Sequence, residues 1–134
     1  LPAMIDRQQG SIIIVNTMDA KKGLPPDAPY VSAKSALAGF ADVLRQEVRP
    51  FGIYVTTIFP GRVDTEMIDY LTVPQVSAKI SADDVAKSIL RAVLKHPAEI
   101  IIPWQSHLLN MANFVSPELS DWIVRTFKLE GWTQ

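Results

Sequence analysis

The sequence contains no cysteine, which excludes disulfides, thiolate metal sites and cysteine nucleophiles. An oxidising compartment is therefore not required, and a cytoplasmic location is expected. Neither sign of charge is in surplus: 13 basic residues stand against 14 acidic ones, scattered along the chain. Nothing here resembles the basic stripe that binds a phosphate backbone, so no nucleic-acid partner is expected. No apolar run approaches the ~18 to 20 residues that a membrane-spanning helix needs. Histidine is scarce as well, with two in 134 residues. His96 lies beside Pro97 and His107 opens the C-terminal stretch, neither with a ligand-spaced partner. Both read as solvent-facing or helix-capping groups, and no metal is expected. A secretory signal is not visible. The chain starts at Leu1, and "LPAMIDRQQG" reads like the end of a helix already under way, so a fragment is expected.

What is present is ordered as strand, helix, strand, helix, strand. "SIIIV" (Ser11 to Val15) is a continuous apolar run of β-branched residues, which suits a strand covered on both faces. After the turn-rich "KKGLPPDAP", Ala33, Ala36, Leu37, Phe40, Val43, Leu44 and Val48 recur at helical spacing until Arg49-Pro50. "GIYVTTIF" (Gly52 to Phe59) is a second strand, halted by Pro60-Gly61, and "EIIIP" (Glu99 to Pro103) a third. "GRVDTEMIDYL" reads as a loop and a short helical piece, followed by a polar stretch to Lys79. Ser81 and Asp84 have capping-box spacing at the start of another helix, with Val85, Ile89, Ala92 and Val93 on one face. Helix-length crossovers between strands call for an α/β domain with a parallel sheet and successive strands side by side. From Trp104 the pattern changes to two amphipathic pieces separated by Pro117. The first carries Leu108, Leu109, Met111, Ala112 and Val115, the second Leu119, Trp122, Ile123 and Phe127.

Tyr30 and Lys34 are four apart, one helical turn on a common face. A phenol titrates near pH ~10 and is a poor proton carrier at neutral pH, but a nearby cation favours the phenolate. On its own the pair fits a surface tyrosine beside a solvated lysine equally well. Thr17 stands thirteen residues earlier, just past the first strand, and "PGRVDT" follows the second. In an open parallel sheet, ligands bind outside the carboxyl ends of the strands, so three polar elements converge at one edge.

The stretches "GSIIIVNT", "GLPPDAPYVSAKSALAGFADVLRQEVRPFGIYVTTIFPGRVDT" and "SADDVAKSILRAV" together resemble the C-terminal half of a classical short-chain dehydrogenase/reductase. The resemblance implies a Rossmann-type doubly wound parallel sheet of about three strands over 1–103, with 104–134 as a helical C-terminal tail. It implies hydride transfer between NAD or NADP and a small-molecule carbonyl/alcohol substrate. Tyr30 matches the catalytic acid/base, and Lys34 the lysine that lowers its pKa and holds the nicotinamide ribose. Thr17 falls where serine usually polarises the substrate oxygen, and Asn16 at a position often serine too. Pro60, Gly61, Val63 and Thr65 match the loop at the nicotinamide end, Val63 through its backbone and Thr65 through its hydroxyl. Arg62 and Asp64 fit either phosphate contact or turn geometry.

The same resemblance marks what is missing. No glycine-rich phosphate turn follows a strand in this sequence, and no residue corresponds to the one that selects NAD or NADP. The isolated chain is expected to be inactive and its first strand to leave an open edge. The small residues Ala33, Ala36, Ala38 and Gly39 allow close helix approach, as in the family's dimers, so a homo-oligomer is expected. The apolar tail hints at a hydrophobic substrate, and its stripe suits the domain, a subunit interface or peripheral contact with a membrane surface. Two other readings are a non-catalytic dimerisation or regulatory module of the same fold, and an epimerase or dehydratase sharing the tyrosine and lysine.

Overall fold

β-branched side chains fill the three strands, and their alternation sends each strand's residues to two separate cores. In the computed structural model, which describes residues 1–65 and 79–129, these strands are β1 (Gly10–Val15), β2 (Ile53–Pro60) and β3 (Glu99–Ile102). They pair in parallel in the order β1-β2-β3, with Val15 opposite Ile58 and Ile58 opposite Ile100. The predicted order and parallel pairing are therefore observed.

On one face, Ile12 and Ile14 pack with Val48, Ile53 and Val55 beneath helices α1 (Pro2–Asp6) and α2 (Ala28–Val48). On the other, Ile13 packs with Ile58, Ile100 and Ala92 beneath α3 (Ala82–Lys95). β1 thus has a helix layer on both faces, although Val15 at its end is exposed. β2 is the most enclosed element: Ile53, Ile58 and Phe59 are at most 1% exposed. Each contributes about 1.5–3 kcal/mol through burial.

The ends of these elements follow from their sequences. Ser81 Oγ accepts the Asp84 N–H at 3.1 Å and Asp84 Oδ2 accepts the Ser81 N–H at 3.2 Å, which completes the predicted capping box. His96 ends α3 as a left-handed cap (φ 51°), its N–H donating to Ala92. Its ring stacks on Tyr54 at 3.9 Å while the Arg49 guanidinium lies over the same ring at 4.4 Å. Gly52 turns the chain from α2 into β2 at φ 67°, where a Cβ would come within 2.3 Å of the Gln8 carbonyl oxygen. Only glycine fits that approach.

Two helix faces differ from the sequence pattern. The inner face of α2 is Val31, Lys34, Ala38, Ala41, Leu44 and Val48, while Ala33, Ala36, Phe40 and Val43 face outward. The sheet takes one of two apolar stripes on the same helix. In α3, Ser88 and Ala92 are buried and Val93 is 45% exposed, because one residue past Ala92 turns about 100° off the stripe. The tail forms α4 (Gln105–Val115) and α5 (Pro117–Thr126), with Pro117 opening the second. Ser120 and Val124 are buried, yet Leu108, Met111, Phe114, Val115 and Trp122 stand exposed. Most of the short helical piece and of the polar stretch expected up to Lys79 falls on residues 66–78, outside the described residues.

Candidate active site

The carboxyl end of β1 is fixed by a side chain that the sequence pattern did not single out for that task. Asn16 is buried; its Nδ2 donates to the Lys34 carbonyl at 3.0 Å and its Oδ1 accepts the Thr17 N–H at 3.0 Å. One amide thus ties the strand end to the α2 turn that carries Tyr30 and Lys34. Thr17 follows as the cap of a 3-10 turn (Met18–Ala20). Met18 and Ala20 pack with Phe59, Ile101 and Ala38, so the turn is held against both sheet and helix.

The Thr17 hydroxyl accepts the Asp19 N–H at 3.3 Å and donates to Asp19 Oδ2 at 3.3 Å. Asp19 is a second residue that pattern reading passed over; its carboxylate beside a strand-end hydroxyl was the available signal. Burial raises the Asp19 carboxyl above its ordinary range, opposed by the Thr17 hydrogen bond and the Arg62 charge, with Asp27 adding to the rise.

Tyr30 occupies the first turn of α2, 45% exposed, with its phenol facing Thr17. Lys34 is half-buried one turn on, its ammonium over the Tyr30 ring at 5.6 Å from the centroid. Lys34 is not among the groups that set the Tyr30 pKa in this arrangement. Burial raises the Tyr30 pKa; Thr17 opposes the rise and Asp19 and Asp27 reinforce it.

The loop after β2 closes the same edge. Pro60 is buried, and the Gly61 N–H donates to the Ile102 carbonyl at 2.6 Å. Val63 pairs in parallel with Ile80: the Ile80 N–H donates to Arg62 at 2.9 Å and the Asp64 N–H to Ile80 at 2.8 Å. In a parallel bridge the intervening residue points its own N–H and C=O the other way, so Val63 presents a donor and an acceptor away from Ile80. The exposed Thr65 hydroxyl donates to that carbonyl at 3.4 Å. Arg62 Nη2 donates to the Leu129 carbonyl at 2.6 Å, and Asp64 pairs with Lys79 at 2.9 Å. These two charged residues brace the loop and the tail.

Thr17, Tyr30 and Lys34 are thus brought together by β1, the 3-10 turn and α2. Pro60, Gly61, Val63 and Thr65 stand on the adjoining loop at the same sheet edge. Among the described residues, no group of acidic or histidine side chains could hold a metal ion.

Comparison with known proteins agrees with this fold. A family model described as short chain dehydrogenase matches residues 1–75. A Dehydrogenase/reductase SDR family protein 7-like of Drosophila melanogaster is 32% identical over 98% of this chain and 44% of its own length. The Dehydrogenase/reductase SDR family member 7B of Danio rerio is 33% identical over 76% of this chain and 36% of that protein. The chain therefore spans less than half the length of these curated relatives. Among solved structures, a short chain dehydrogenase from Burkholderia cenocepacia in complex with NADP is similar at a TM-score of 0.75 and 25% identity, covering 87% of this chain and 47% of that one. A Streptomyces avermitilis short-chain dehydrogenase shares the fold at a TM-score of 0.69, with 21% identity over 94% of this chain and 55% of that one. With more than half of its residues fitted by that family model, and the family's parallel sheet recovered, the chain belongs to the short-chain dehydrogenases.

Proposed function

We propose that this chain supplies the proton-transfer groups of an NAD- or NADP-dependent oxidoreductase acting on a small-molecule carbonyl/alcohol pair. The observation that carries the reading is the meeting of the Thr17 hydroxyl and the Tyr30 phenol, with Lys34 one turn below. Tyr30 acts as acid/base: a phenol is neutral at neutral pH and carries the proton that a carbonyl oxygen takes up on reduction. Thr17 orients that oxygen and Lys34 holds the ribose side of the cofactor. The bound nicotinamide would supply or take the hydride. Val63's outward N–H and C=O fit the acceptor and donor of a carboxamide, and the Pro60–Gly61 turn and Thr65 hydroxyl border that place. The similarity to a dehydrogenase solved with NADP supports the cofactor class.

The 1–103 segment is the catalytic unit in this reading and 104–134 a helical tail over it. The outward stripe of α2, with Phe40 and Val43 exposed and open space above Gly39, suits a homo-oligomer contact. No helix among the described residues is long and apolar enough to cross a membrane. The exposed apolar side chains of α4 suit a hydrophobic substrate or peripheral lipid contact.

Replacing Tyr30 by Phe in the complete native protein tests the mechanism. Removing the general acid should lower kcat by about 100- to 10,000-fold while nicotinamide binding, read by cofactor fluorescence, is kept. A normal kcat in Tyr30→Phe would refute the assignment.

A further inference from the structure

Asp19 is the unexplained charge of the site. It lies two residues past Thr17, half-buried, and one of its oxygens accepts from the Thr17 hydroxyl at 3.3 Å, a hydroxyl that also faces the Tyr30 phenol. A hydroxyl donates once, so an ionised Asp19 competes with the Tyr30 oxygen and with an approaching substrate oxygen for the Thr17 hydrogen. The other carboxylate oxygen has no hydrogen bond or ion pair among the described residues. Arg62 influences Asp19 as a charge, but its guanidinium reaches the Leu129 carbonyl. Asp27 faces the same carboxylate as a second negative charge, and Tyr30 faces it as a neutral phenol. The other Asp19 oxygen is not shut off from solvent, so it stands open at the site edge to accept from a donor on a bound molecule.

We propose that Asp19 is a substrate-recognising carboxylate, which receives a hydroxyl or ammonium carried on the carbon next to the reacting one. The substrates so selected are α-hydroxy or α-amino ketones, or the corresponding vicinal diols and amino alcohols. This rests on the oxidoreductase reading for the identity of the reacting carbon. Recognition itself needs only the pairing of Asp19 with a donor beside an oxygen held at Thr17 and Tyr30.

The test compares α-hydroxyacetophenone with acetophenone on the complete native protein with its nicotinamide cofactor. The hydroxy ketone should be preferred in kcat/KM by about tenfold or more, because a site built around a hydrogen bond rejects the analogue that lacks it. Asp19→Ala should bring the ratio near one. Asp19→Asn should weaken it, since a neutral amide oxygen accepts a hydrogen bond less strongly than a carboxylate. A merely structural role for Asp19 would slow both ketones alike and leave their ratio unchanged. A ratio near one in the native protein, or one that neither variant alters, overturns the inference. Turnover of neither ketone counts against the oxidoreductase reading instead. In that case, amide shifts of Thr17 and Asp19 are followed by NMR with phenylethylene glycol and with methylphenylcarbinol. Tighter binding of the glycol, lost in Asp19→Ala, upholds the role of Asp19, and equal or absent binding of both overturns it.

Discussion

Asp19 and Tyr30 show how neighbouring groups decide what one side chain can do. Tyr30 and Lys34 have the spacing that lets a lysine depress a phenol, yet partial burial, reinforced by two nearby carboxylates, pushes the other way. The same burial makes Asp19 a measurable burden on stability. Its folded-state pKa lies above the ordinary 3.8, so between those two values the folded chain binds more protons than the unfolded one. Stability should then fall as pH rises through that window, and stay lower above it. Asp19→Asn removes the effect. Urea denaturation should give the variant a higher midpoint than the native chain at neutral pH, with the two converging below about pH 3. A variant that loses stability at neutral pH would mean that the carboxylate's pairing with Thr17 outweighs its desolvation.

Elements in this chain are begun and ended by side chains that can be recognised, and then seated by contacts that cannot. The Ser81–Asp84 box marks a helix start and Pro117 a break between two helices, and the structure has both. The α2 helix is different, since it carries two apolar stripes of similar composition. The spacing read from the sequence ran through Ala33, Ala36, Phe40 and Val43, whereas the position of the sheet buries the stripe through Ala41 and Val48. Gly52 sits between these cases. Its left-handed φ and the 2.3 Å approach to Gln8 mean that Gly52→Ala strains the α2–β2 turn and pushes against α1. A loss on the order of 1–3 kcal/mol is expected from the backbone conformation alone, read by chemical denaturation. A neutral substitution would show that the Gln8 segment moves aside freely.

At the scale of the molecule, the tail is tied to both loops that flank the site. Lys22 pairs with Asp121 at 2.5 Å, Asn113 Nδ2 donates to the Lys21 carbonyl at 3.3 Å, and Arg62 reaches Leu129. These polar ties set where the tail lies, but burial supplies most of its hold. An exposed ion pair contributes about 0–1 kcal/mol, against roughly 1.5–3 kcal/mol for a buried valine. Val124→Ala should therefore release the tail to limited proteolysis more than Asp121→Asn does. The Asp121→Asn effect should also shrink as salt is raised. The reverse ranking would make the tail an electrostatic clasp. β1, meanwhile, pairs only with β2 among the described residues, so its other edge carries unpaired peptide groups.

Local chemistry written into the sequence determined the strands, the capping box, the histidine cap and the i, i+4 meeting of Tyr30 with Lys34. Each depends on residues close along the chain, through β-branched runs, hydrogen bonds within a turn or helical periodicity. Tertiary structure alone decided which stripe of α2 is buried and which tail residues face outward. It also decided that Asn16 bridges to the Lys34 carbonyl and that Asp19 holds the Thr17 proton beside Tyr30. Those outcomes rest on groups brought together by strand pairing and helix packing, and on desolvation. Both follow from where the chain lies in space, which spacing along the sequence does not specify.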